Sequence, residues 1–338
     1  MKKTLTIIFT IIFTLLAINS MAKAEVKVVT SIKPIHSLVS YVMDGVGKPD
    51  IIVDGYNSPH NFSLKPSHAK MIEKANLIIW VGEDLETFLE KPLKSIGKEA
   101  VNVEIMDLKG IKKLKFREKN IFEDHDDHGH DEHKEHGHKE KKHDDHGHDE
   151  HKEHGHKEEK HDDHGHEGHA HGEHDPHVWL DPMNAKVIVQ EIENQLVKLD
   201  PDNSEKYKAN SKKAQSELDN LTKNIKKDLK KDLRFVVFHD AYQYFENRFG
   251  IKVLGALTVN PDVLPGAEQL SEIREVIKHE KVNCLFSEPQ FNPAIIKSIA
   301  KDTKIKIGVL DPLGATINKG KGMYTELLSN MYSTFKGC

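Results

Sequence analysis

Eighteen of the 24 histidines in this 338-residue chain fall between His125 and His174. The block HDDHGHDEHKEHGHKEKK, from His125 to Lys142, recurs as HDDHGHDEHKEHGHKEEK, from His143 to Lys160. A third copy begins at His161 and decays into HEGHAHGEH. Neutral imidazole is the commonest biological ligand for Zn²⁺, Cu²⁺ and Ni²⁺. HxH and HxxH spacings repeated in this way therefore form many overlapping weak metal sites. The tract has no branched aliphatic residue and no Phe, Tyr or Trp. Nothing in it offsets the entropy of ordering the backbone, so residues 124–174 read as a disordered insert. A plain spacer is the simpler alternative.

The remaining histidines are scattered, and what matters is where the surrounding elements put them. Apolar runs rich in Val and Ile predict parallel strands over Val26 to Val29, Asp50 to Val53, Leu77 to Val81 and Val101 to Met106. A second set is predicted over Phe235 to Phe238, Lys252 to Leu257, Cys284 to Ser287 and Ile305 to Leu310. Helical patterns lie between them, among them Ile35 to Met43, Ser67 to Lys74 and Ala267 to His279. Asp181-Pro182 opens a helix that ends near Leu199. A longer helix follows from about Asn203 to Lys231. Its narrow stripe of Tyr207, Ala214, Leu218, Leu221, Ile225 and Leu229 suits a strut more than a core element.

The predicted fold is α/β, with two parallel-sheet lobes joined by a long, rigid backbone helix. The predicted boundaries are 25–202 for the first lobe, 203–231 for the linker helix and 232–338 for the second lobe. Residues 1–24 form a signal peptide: Lys2 and Lys3, an apolar run from Leu5 to Ile18, then Ala22-Lys23-Ala24 before Glu25. That run is short for a membrane span of roughly 20 residues and lacks a basic flank. The mature chain is thus expected to be soluble and periplasmic.

The formal charge of −5 conceals an asymmetry, because residues 123–175 hold 20 acidic and 7 basic side chains. The remainder is basic but has no Arg-rich stripe, which argues against nucleic acid. Two cysteines, Cys284 and Cys338, read as one disulfide in an oxidising compartment, pinning the final helix. A two-cysteine zinc or redox site is the poorer alternative without a CxxC.

In open parallel sheets, ligands bind beyond the carboxyl ends of strands. His239, Glu288 and Asp311 each follow a predicted strand, His60 lies in a loop past Ile51-Ile52-Val53, and His177 directly precedes a helix. Two lobes that bring such residues to one cleft can share a single site there. The other histidines have ordinary explanations. His36 lies on an apolar helix as a packing residue, His68 opens a helix, and His279 suits a helix C-terminus. Glu288 is better placed to orient an imidazole N–H than to ligate, Trp179 to pack beneath the site, and Trp80 to fill a core.

Six segments carry a family resemblance: NSPHNFSLKPS from Asn57, DPHVWLDP from Asp175, FHDAYQYFENRFG from Phe238, TVNPDVLPGAEQL from Thr258, SEPQFNP from Ser287 and LDPLGATI from Leu310. Together, and in this order across the mature chain, they resemble the periplasmic metal-binding proteins that serve ABC transporters. The His-rich insert before DPHVW places the chain with the zinc-uptake branch. The resemblance implies two α/β lobes with little hinge motion, no enzymatic activity and a membrane permease as partner. It implies His60, His177 and His239 as metal ligands, a nitrogen-rich set suited to Zn²⁺. Manganese-selective relatives carry a carboxylate where His239 stands. For the fourth position Asp311, water and a loop histidine remain open; Pro59 stands where some zinc relatives have a Glu.

The function so implied is capture of Zn²⁺ and delivery to an ABC-type permease, with the His-rich loop as a low-affinity collector or sensor and the chain acting as a monomer. A zinc hydrolase would also use three ligands, but no HExxH occurs in the chain. A periplasmic metal buffer, or a nickel- or manganese-binding protein, is the alternative.

Overall fold

The apolar runs form two four-stranded sheets, each parallel throughout. The computed structural model describes residues 25–117, 119–122, 172–229, 233–261, 263 and 265–338. The predicted signal peptide, most of the His-rich insert and the predicted end of the linker helix lie outside the described residues. The first sheet contains β1 (Val28–Ile32), β2 (Asp50–Val53), β3 (Leu77–Trp80) and β4 (Val101–Glu104), in the order β2-β1-β3-β4. The second contains β5 (Arg234–His239), β6 (Lys252–Thr258), β7 (Cys284–Ser287) and β8 (Lys306–Val309), in the order β6-β5-β7-β8. Helices α1 (Lys33–Val42), α2 (Pro66–Lys74) and α3 (Thr87–Ser95) alternate with the first set of strands. Helices α6 (Gln243–Phe249), α7 (Ala267–His279), α8 (Ala294–Thr303) and α9 (Met323–Lys336) belong with the second.

Two helices stand between the sheets in the chain, α4 (Pro182–Leu199) and α5 (Ser204–Asp228). Asp181 caps α4 through Met183 N at 2.8 Å, with Pro182 in the first turn. The 25 residues of α5 extend about 37 Å at 1.5 Å per residue. Its buried stripe is Tyr207, Ser211, Ala214, Leu218, Thr222 and Ile225. Leu221, expected in the stripe, packs half-buried against the core, and Thr222 is buried beside it with its hydroxyl satisfied within the helix, donating to Leu218 O at 2.7 Å. Among the described residues no helix is long and apolar enough to cross a membrane.

Alternation along β5 separates two cores. Phe235 and Val237 join a cluster that runs through both sheets and both long helices. Val236 and Phe238 face a smaller cluster with Leu257, Ile273, Leu285 and Ile296. Sharing the larger core, the lobes have an apolar joint, and polar contacts reinforce it. Lys33 at the start of α1 has a buried ammonium that donates to Gly314 O, Ala315 O and Ile317 O at 2.9, 2.9 and 3.1 Å. Ser37 Oγ donates to Gly320 O and accepts from Tyr324 N.

The chain leading to the insert departs from the predicted division. Its flanks pair, Lys115 with His174, and residues 120–122 then run along the edge of β6, outside the first lobe. Ala256 N donates to Asn120 O at 2.8 Å and Phe122 N to Leu254 O at 2.9 Å. The pairing covers one sheet edge that would otherwise expose its backbone groups.

Cys284 and Cys338 are joined, which ties the end of α9 to the start of β7. The cross-link closes a loop of 54 residues, which in the chain-entropy picture stabilises the fold by about 4 kcal/mol. Cys338→Ser is expected to lower unfolding stability by up to that amount in chemical denaturation.

Glu86, ahead of α3, is fully buried, with Oε2 accepting from Val81 N and Gly82 N. Burial pushes its carboxyl up to about 7, against the downward pull of Ser31 and the two backbone N–H groups. A raised carboxyl takes up a proton on folding between the ordinary Glu range and about 7, so stability falls as pH rises through that window. Glu86→Gln keeps an acceptor for both N–H groups and removes the titration. Its thermal unfolding profile should lose the decline between about pH 4.5 and 7, a gain on the order of 3 kcal/mol at pH 8.

Candidate metal centre

His239 is the last residue of β5, the strand flanked by β6 and β7. Its ring is held from behind: Nδ1 lies 2.7 Å from Glu288 Oε1, on the loop just after β7, and the same oxygen accepts from His239 N at 3.3 Å. His177 is built by a tighter local device. Asp175 Oδ1 accepts from His177 N at 2.9 Å and stands 2.6 Å from His177 Nδ1. Asp175 is anchored in turn, its N–H donating to Leu114 O and its carbonyl accepting from Tyr244 Oη at 2.7 Å. His60, half-buried, reaches the same place from the loop after β2, where its N–H donates to Ser58 Oγ at 3.2 Å.

With Nδ1 committed on both buried rings, Nε2 of His177 and of His239 point at each other across 3.4 Å. The His60 ring centroid lies 5.4 Å from that of His177 and 5.7 Å from that of His239. One nitrogen from each ring falls within 4.8 Å of the others, the group of this kind found among the described residues. Trp179, wholly buried, packs 5.3 Å from His177 and donates Nε1–H to Pro312 O. The space between the rings is small, about 10 Å³ for the centre of a water-sized body. It suits an ion and one small ligand, not an organic substrate. A cleft of about 550 Å³ near Trp80, Glu104 and Glu191 is larger but contains none of these histidines.

Electrostatics favour a cation. Burial, and then His239, hold His177 well below the ordinary imidazole value, so it is neutral with Nε2 available as a donor atom. Burial also acts downward on His239, but the charge and hydrogen bond of Glu288 outweigh it and the net shift is upward. Burial pushes Asp175 up to about 7, opposed by the His177 N–H, Arg117 and His239. Arg117 also holds two further buried acids, donating to Asp240 Oδ1 at 2.8 Å and to both oxygens of Glu246. One guanidinium thus serves several buried carboxyls, and Asp175 Oδ2 and Glu288 Oε2 have no hydrogen-bond partner among the described residues.

Of the four predicted ligands, the structure brings His60, His177 and His239 together and does not bring in Asp311. Both Asp311 oxygens are engaged elsewhere, with Gln290 Nε2, Leu313 N and Thr316 N. Glu288 orients an imidazole, as its position after a strand suggests. His36 is a packing residue bonded to Pro49 O, His68 accepts from Lys65 N at the start of α2, and His279 pairs with Glu275 in the last turn of α7. The sequence reading missed Asp175, Arg117 and Lys33. A signal existed for Arg117: only four of the 49 Lys and Arg residues are arginine. Two of those four, Arg117 and Arg248, make bidentate bonds to buried carboxylates, a task lysine performs poorly.

Residues 28–338 match the family model described as zinc-uptake complex component A, periplasmic. The high-affinity zinc uptake system protein ZnuA of Brucella abortus (strain 2308) is 47% identical over 322 residues, covering 95% of this chain and 93% of that one. The protein of the same name from Yersinia pestis is 36% identical over 326 residues, with 96% and 94% covered. Among solved structures, one described as ZnuA superimposes with a TM-score of 0.69 at 20% identity, covering 93% of this chain and 99% of that one. A mutant laminin-binding adhesin from Streptococcus agalactiae gives 0.67 at 23%, covering 91% and 98%. At those identities the structural matches speak for the two-lobed α/β fold. The family match over nearly the whole described chain, with full-length relatives at 36 and 47% identity, speaks for descent, and the chain belongs to the family of periplasmic zinc-uptake component A proteins.

Proposed function

We propose that this chain is a periplasmic zinc-binding protein that captures Zn²⁺ and delivers it to the permease of an ABC-type importer. The observation that carries the reading is the convergence of three imidazoles, two of them held by buried carboxylates with their Nε2 atoms 3.4 Å apart. His60, His177 and His239 are the proposed ligands, and a neutral nitrogen set with one further position matches tetrahedral Zn²⁺. Asp175 and Glu288 raise ligand basicity and supply negative charge that the dication neutralises. Bound protons compete with the ion, so binding weakens as the medium becomes acidic.

The proposed organisation has a cleaved signal peptide over residues 1–24, lobes at 25–202 and 232–338, and a linker helix at 203–231. Residues 120–122 are the exception, lying against the second lobe. The soluble chain acts as a monomer, and the His-rich loop collects or senses zinc at lower affinity, raising its concentration near the cleft.

Zinc titration calorimetry tests this on three proteins: the mature chain, a variant lacking residues 124–171, and that variant with His60→Ala and His239→Ala. Ending the deletion at residue 171 preserves the Lys115–His174 pairing. One tight site should survive the deletion and vanish with the two histidines; if tight binding leaves with the loop, the cleft assignment fails. In the same deletion background, Glu288→Gln and Asp175→Asn should each weaken zinc binding about 10- to 100-fold while keeping one ion per chain.

A further inference from the structure

Gln290 lies two residues beyond Glu288 on the loop after β7, and it lines the pocket shared by His60, His177 and His239. Its Nε2 donates to Asp311 Oδ1 at 3.0 Å. Asp311 is itself fixed, Oδ1 accepting also from Leu313 N and Oδ2 from Thr316 N, each at 3.3 Å. A carboxylate only accepts, so Asp311 defines which end of the amide is which: the NH₂ faces Asp311 and Oε1 turns away from it. That oxygen is buried and has no donor among the described residues. A buried acceptor left unmatched is unfavourable, and such atoms mark places where a donor belongs in the working state.

Three imidazoles leave one position of a tetrahedral Zn²⁺ open. Water bound to Zn²⁺ is polarised and is a strong hydrogen-bond donor. We propose that Gln290 completes the centre: its Oε1 accepts from a water bound at the ion's fourth position, with Asp311 orienting the amide. The proposal rests on the three-histidine reading. It makes Gln290 a positioning residue and gives Asp311 a role two bonds removed from the ion. It also bears on selectivity. A neutral amide in this place adds no charge, whereas a carboxylate would favour harder cations such as Mn²⁺.

The test uses the full chain with one equivalent of Co²⁺ and a chelator strong enough to strip weak sites. The visible spectrum is followed as azide is added, and zinc affinity is measured by competition with the same chelator. The unaltered protein should show a tetrahedral-type spectrum that azide changes by displacing the water. Gln290→Leu should still bind one ion, with zinc affinity about tenfold lower and the azide response shifted to lower concentration. Gln290→Glu should place a carboxylate on the ion, abolish the azide response and strengthen Mn²⁺ binding. The second variant decides the matter if the first fails to fold, as judged by its thermal transition. Wild-type zinc affinity and azide response in Gln290→Leu, or an unaltered protein insensitive to azide, would overturn the proposal while leaving the three histidines in place. A Co²⁺ spectrum unchanged by His60→Ala would instead remove the reading on which it rests.

Discussion

Two buried carboxylate–imidazole pairs govern the architecture of this protein. Asp175 and Glu288 each commit one oxygen to an Nδ1, and among the described residues the second oxygen of each has no hydrogen-bond partner. Buried anions are tolerated only where something offsets them. Arg117 contributes, but it is shared with Asp240 and Glu246. The region therefore gathers buried carboxyl groups behind nitrogen donors, an environment whose natural complement is a small dication. Sheet order, loop lengths and the shared core serve to hold these two pairs face to face.

The two pairs come from different kinds of local structure. His239 and Glu288 sit at the ends of adjacent parallel strands, where side-by-side pairing guarantees that consecutive strand ends meet. His177 and Asp175 belong to a turn that the chain forms on returning from the insert, held by Leu114 and Tyr244. His60 rides on a loop and is the more exposed of the three rings. The centre thus combines two rings backed by carboxyl groups with one carried on a loop.

Much of this was legible in the sequence. Apolar runs marked all eight strands to within two residues, except that β1 continues three residues past its predicted end, through Thr30 and Ser31 to Ile32, because parallel strands covered on both faces favour apolar side chains. The Asp-Pro start of α4 was explicit, and so was the cysteine pair. The three histidines emerged from strand-end position and from the motifs around them. What stayed hidden depends on contacts between distant residues. Lys33 looks like one more lysine near a helix start, yet its ammonium lies among carbonyls more than 280 residues away. Arg117 sat in a polar stretch leading into the insert, and its partners come from the other lobe. Asp311 occupied a strand-end position as a ligand would, but the backbone N–H groups of its own loop and the amide of Gln290 claim its oxygens.

The buried ammonium of Lys33 has a kinetic consequence. With three carbonyls of the 314–317 loop bonded to a cation inside the joint, separating the lobes would break three charge-assisted hydrogen bonds and expose part of the shared apolar core. Folding has already imposed the order that a hinged receptor acquires only on closing around its cargo. On the proposed reading, uptake is then a local event at the three rings, with no slow swing of a domain before it.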